Sequence, residues 1–209
     1  MTTQTTPTPR NPCLPPPLPR AQWESHPNFP TQALLLRSHE NFRAVSRALL
    51  ERAEAAERQL AEGSPALRER LTASLYLYLR WTMGMRGHEH YEESKLYPWL
   101  AHRYGVSTEA MEGEHESLHL TGDAVSEAYE RAIEALGDDG DPDVAARRLS
   151  TLRAALKRHD DTLLDHLEHE EDTVIPLLLH LPRDEFRRYY EGTIQTLLTQ
   201  SRSCAEGCA

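Results

Sequence analysis

The sequence predicts an all-α fold: an antiparallel up-down-up-down four-helix bundle with a disordered Pro-rich N-terminal arm and a short C-terminal helix. Three observations carry this expectation. Apolar residues recur at helical spacing; Gly, Ser-Pro and Asp-Pro punctuate the chain about every thirty to forty residues; and one short pattern occurs twice. That pattern, H-x-x-x-E-E-x-x-x-x-P-x-L, runs from His88 through Glu92, Glu93 and Pro98, and again from His166 through Glu170, Glu171 and Pro176. An imidazole and a carboxylate four residues apart share one helix face. Their repetition on two helices implies a pseudo-two-fold site between two helical hairpins.

Residues 1–30 hold most of the prolines and read as an extended or disordered arm, with Trp23 and Phe29 able to dock its last part. The bundle follows over 31–181. Its first helix, 31–62, places Leu35, His39, Phe42, Ser46 and Leu49 on one face and stops at Gly63. Ser64-Pro65 is read as N-cap and first helical residue of a second helix, which reaches Tyr104. The alternation Leu75-Tyr76-Leu77-Tyr78-Leu79 within it is not a strand, because it would have no partner. Gly84 and Gly87 are either tolerated glycines or a kink beside the site. Gly105 ends that helix, and Ser107 or Thr108 opens the third, which runs to Leu136. The acidic loop Gly137–Gly140 lacks the ligand spacing of a calcium loop and is read as a turn. Asp141 as N-cap and Pro142 open the fourth helix, 142–181, and the motif helices are expected to bend or end at Pro98 and Pro176. Residues 182–209 contribute an amphipathic helix, 184–200, and a tail.

Composition excludes several functions. A net charge of -10 argues against a nucleic-acid partner. No apolar run reaches bilayer length and no signal segment is visible, so a cytoplasmic protein without membrane contact is expected. Cys13, Cys204 and Cys208, an odd number in the two tails, are read as idle thiols.

The eleven histidines are the outlier. His39, His88 with Glu92, His115 with His119, and His166 with Glu170 put one inward group or pair on each helix. Five imidazoles and two carboxylates are too many nitrogens for a structural zinc and too few oxygens for calcium or magnesium. The set suits iron or manganese, and two ions better than one. Glu93 and Glu171, turned about 140° from the histidines on an ideal helix, are read as solvated or as supporting groups, with Glu168 also on the solvent side. His90, His102 and His180 are read as surface residues. His159 and His169 are weighed as supporting or proton-transfer groups.

This ligand set and the downstream Glu-Glu-x-x-x-x-Pro resemble the hemerythrin-like, or HHE cation-binding, domain, over about 31–181. The resemblance implies two iron ions bridged by an oxo or hydroxo group. His115, His119 and His166 would hold one, His39 and His88 the other, and Glu92 and Glu170 would bridge them. It further implies binding of dioxygen, or of related ligands such as peroxide and nitric oxide, for sensing, storage or redox handling, with an unknown redox partner. Glu170 stands four residues after the last histidine, where the oxygen carriers of that family have aspartate at five, so simple oxygen transport is not implied. The alternatives are an oxygen-activating oxidase or peroxidase acting on a small organic substrate, and an iron-responsive regulatory or storage module.

Overall fold

The computed structural model describes residues 14–137 and 140–192, and every regular element among them is helical. A 3-10 turn, Arg20–Gln22, and helix α1, Phe29–Gln32, lead into α2, Leu35–Ala61. Helix α3, Leu67–Tyr91, continues through a wide π turn, Glu92–Leu96, into α4, Tyr97–Tyr104. Helices α5, Glu109–Ala135, and α6, Pro142–Leu179, complete the bundle, and α7 covers 183–192. The tail cysteines, Asp138, Asp139 and the continuation of the last predicted helix to 200 lie outside the described residues.

Side-chain bonds set the helix directions. Along α2 and α6, His39 meets Glu171, Ser46 meets Asp160 and Glu57 meets Arg153, so one numbering rises as the other falls. Along α3 and α5, Ser74 meets Tyr129, Tyr78 meets Gly122 and Glu89 meets His119. Glu114 with His166 and Thr121 with His159 orient α5 against α6 in the same way. Helices α2 and α3 also pack together, which closes a four-sided antiparallel bundle.

Most punctuation acts where expected. Gly63 and Gly105 adopt φ of 69° and 68°, the left-handed conformation that ends a helix without a Cβ penalty. The Asp141 carboxylate accepts from the Asp143 N–H at 2.8 Å, capping α6. Ser64-Pro65 differs: it forms the connecting turn, and α3 begins at Leu67 behind Ala66. The predicted first helix is likewise interrupted at Ala33, whose ψ of 31° leaves the helical region.

The two motif prolines diverge. Pro98 follows the π turn, where one extra residue per turn relieves the crowding a ring without an N–H imposes. Pro176 leaves α6 unbroken to Leu179; the carbonyl it cannot pair belongs to Asp172, an exposed position that water can satisfy. Gly84 and Gly87 have open space where a Cβ would stand, so the change of helix geometry belongs to the π turn and not to them.

The last part of the arm, where docking through Trp23 and Phe29 was expected, lies against the bundle. Trp23 is 5% exposed, and the Asn28 and Gln32 side-chain amides donate to the carbonyls of Leu178, Leu179 and Leu181. These carbonyls lie at and just past the C-terminus of α6, where helical hydrogen bonding runs out, so the segment is held by hydrogen bonding as well as by apolar contact.

Two apolar clusters divide the interior. One contains Phe42, Met85, Leu118 and Leu167; the other contains Leu35, Leu96, Met111 and Val174. Each long helical stretch therefore passes from one cluster to the other. The residues between, His39, Glu92, His115 and Glu170, are all buried. Fully burying a leucine-sized side chain is worth about 1.5–3 kcal/mol, and these clusters on both sides keep four charged or polar groups out of water.

Candidate metal centre

The residues brought together form two groups. Donor atoms of His39, His88, Glu92 and Glu170 lie within 4.8 Å of one another, as do those of Glu92, His115 and His166. Glu92 belongs to both. The π turn supplies it: Glu92 begins the widened turn and is fully buried among side chains from α2, α3, α5 and α6.

The seventh predicted residue, His119, is placed elsewhere. Its side chain is 45% exposed and its Nε2 lies 2.6 Å from the Glu89 carboxylate. One helical turn beyond His115, this position is rotated toward α3, where the buried Glu89 takes it up.

The imidazoles are held from outside by carboxylates. His39 Nδ1 donates to Glu171 at 2.9 Å, His115 Nδ1 to Glu93 at 2.7 Å and His166 Nδ1 to Glu114 at 3.0 Å. A carboxylate on the outer nitrogen keeps the proton there and leaves the inner one with a lone pair for a cation. The inner atoms crowd accordingly: His39 Nε2 stands 3.1 Å from His88 Nε2 and 3.1 Å from Glu170 Oε2, and His88 Nε2 stands 2.7 Å from Glu92 Oε1.

The two imidazole–carboxylate approaches are short in distance but lack hydrogen-bond geometry. Both oxygens of Glu92, Oε2 of Glu170 and Nε2 of His115 are buried without a hydrogen-bond partner. Buried polar atoms are nearly always satisfied. Four such atoms converging between two helical hairpins fit a cation that they share.

Without a cation, protons take that place. Burial by itself would lower the His39 pKa, but the adjacent carboxylates of Glu170 and Glu171 outweigh it and raise the value to about 9. Burial opposes His115 in the same way, and Glu92 and Glu93 raise it to about 9. Burial alone would raise the carboxyl pKa of Glu92; the close approach of the His115 and His88 imidazoles wins and holds it low.

Several supporting residues were placed differently by the sequence. Glu171, read as solvated or as a supporting group, is buried and takes the supporting place: it accepts from His39, from Arg43 at 2.6 Å and from Arg20 at 2.9 Å. The solvated reading assumed that only the face bearing His166 is covered, whereas α6 packs on both α2 and α5 and buries a wider arc. Arg20, from the arm, also binds Asp172 and the Glu168 carbonyl. Glu168 itself is exposed, as are His90 and His102, while His180 is half-buried and bonds the Pro176 carbonyl. Glu114, which the sequence did not single out, carries His166 on one oxygen and the exposed His169 on the other. His159 sits apart from the centre in the core, on Thr121 at 2.8 Å, and burial lowers its pKa to about 4.

Two substitutions test this support. Glu171→Gln keeps the shape but weakens the hold on His39, and is expected to lower metal affinity about 10–100-fold, measured by competition with a chromophoric chelator. Tyr97, fully buried on the π-turn side, donates to Glu170 Oε1 at 3.0 Å, and burial pushes its own pKa up, so it remains a neutral donor. Tyr97→Phe leaves that oxygen unpartnered and is expected to cost about 1–3 kcal/mol in the metal-free protein by denaturant unfolding.

This arrangement has a counterpart among known families. The hemerythrin HHE cation binding domain matches residues 31–178 of the chain. The chain belongs to the hemerythrin family. Comparison with curated proteins and with solved structures gave no match. A hemerythrin domain is a cation-binding bundle, and the two His/Glu groups described above are groups that could hold a metal. Among the described residues no helix is long and apolar enough to cross a membrane.

Proposed function

We propose that this protein is a non-haem di-iron protein that binds dioxygen, or a related ligand such as peroxide or nitric oxide, for oxygen or redox sensing, storage or handling. The observation that supports it best is the set of His115 Nε2, both Glu92 oxygens and Glu170 Oε2, buried without hydrogen bonds among imidazoles of which three bond carboxylates through their outer nitrogens. His39 and His88 would hold one ion and His115 and His166 the other, with Glu92 and Glu170 shared. His119 would complete the second set by exchanging Glu89 for the ion. Bound iron would supply the redox change and an open position for the incoming ligand.

The chain's own residues perform the rest. Glu171, Glu93 and Glu114 orient three imidazoles, Tyr97 holds Glu170, and the two apolar clusters exclude water. The test is metal analysis combined with an anaerobic-to-aerobic optical spectrum. Two irons per chain and an absorption gained in air and lost on deoxygenation are expected. Two irons without any such reversible band would refute ligand binding of this kind.

A further inference from the structure

A cavity of about 330 Å³ opens beside the candidate centre. Its floor includes His88, which at 13% exposure is the least buried of the six clustered side chains; the others are 0–3% exposed. Leu34, Leu35, Leu96 and Leu178 give an aliphatic wall, and Tyr91, Phe186, Tyr189 and Tyr190 an aromatic one. The last three belong to α7, beyond the residues that match the hemerythrin domain.

Two features define what the cavity can take. Among the described residues its lining contains no Lys, Arg, Asp or Glu, although the chain carries -10 and another cavity, at Trp23, is lined by Arg20, Arg43 and Glu171. An ionised ligand would lose its hydration there with no opposite charge to meet it. The polar groups present are Gln32, Ser38, His88 and the tyrosine hydroxyls, of which Tyr91 and Tyr189 bond each other at 2.6 Å. Volume, ring-lined walls and a few convergent hydroxyl and amide groups are the attributes of a small-molecule site. Dioxygen would occupy little of it.

We propose that this cavity is a binding site for a small neutral aromatic molecule bearing one hydroxyl, of phenol or benzyl alcohol size, held next to His88 between α7 and the bundle. The ring stacks on the aromatic wall and the hydroxyl joins the Tyr91 and Tyr189 pair. The site rests on the di-iron reading for its relation to the centre, but not for its own existence. Helix α7 is then a wall of the site and not only a cover for the bundle end.

The experiment uses the full chain, metal-free and iron-loaded, with 4-methylphenol and benzyl alcohol as neutral probes and benzoate and benzylamine as charged controls of similar shape. Ligand-observed NMR is expected to show saturable binding of the neutral pair to both forms, with the charged pair at least about tenfold weaker. Phe186→Ala and the more exposed Tyr190→Ala should each weaken the neutral probes several-fold, and in the loaded protein the probes should slow the appearance of the azide absorption band. Equal binding of charged and neutral probes, or binding unchanged in both variants, would overturn the proposal. Iron uptake and an azide band without probe binding would overturn it while sparing the centre. Probe binding in a protein that takes up no iron would refute the di-iron reading and leave this site standing.

Discussion

On the proposed di-iron reading, Glu92→Ala is expected to abolish binding of both metal ions together, whereas His39→Ala and His166→Ala should each weaken one. Glu92 is the residue common to both donor groups, and its two oxygens face His88 at 2.7 Å and His115 at 3.5 Å. Removing it takes from each donor group the one carboxylate that both contain. The loss in affinity should exceed the roughly 10–100-fold expected of an outer hydrogen-bond partner. Metal content after dialysis against a weak chelator, compared across the three variants, checks this. A Glu92→Ala protein that folds and still retains one full equivalent would show that the two groups do not share this carboxylate.

Stripping the metal is expected to lower the melting temperature, by an amount that grows with pH. At free metal about a thousandfold above Kd, binding contributes about 4.1 kcal/mol, which for a domain of this size corresponds to roughly 8–16 °C. The sign of the pH dependence follows from the groups that replace the metal. His39 and His115 are raised from 6.5 to about 9 in the folded, metal-free chain. Their stabilisation is complete below pH 6.5 and is lost as pH rises through 9.

His159 acts oppositely: lowered from 6.5 to about 4 by burial, it removes stability as pH falls across that interval. Burial would raise Glu171, but hydrogen bonds from His39 and Arg43 lower it from 4.5 to about 2, so its contribution holds above pH 4.5 and fades toward 2. The metal-free protein should therefore be most stable near pH 6.5 and weaken on the alkaline side. The loaded protein should not weaken there, because ions and protons compete for the same nitrogens and deprotonation favours the ion. Melting curves at pH 6.5 and 9, with and without chelator, should show the gap widening; a gap that narrows would contradict proton displacement from His39 and His115.

Much of this was legible in the linear sequence. Gly63, Gly105 and Asp141 mark helix boundaries because their effects on φ and on end-of-helix N–H groups are local. The pairs His88 with Glu92 and His166 with Glu170 were readable because a helix brings residues four apart onto one face whatever surrounds it. Buried neighbours were not readable in the same way. Glu171, Glu114 and Glu89 look like solvent carboxylates in sequence, and each becomes a partner only because another helix supplies an imidazole opposite it.

By itself, then, the sequence determined the order of the main helices and the shared faces of His88 with Glu92 and of His166 with Glu170. The tertiary structure decided the rest: that Arg20 reaches back across some 150 residues to Glu171, that a π turn delivers Glu92 to both donor groups, that His119 turns to Glu89, and that α7 walls a cavity beside His88. The physical reason is one of range. Helix periodicity is set by bonds between residues four apart, whereas burial, charge and partner are set by whichever side chains the packing of separate helices brings within about 3 Å.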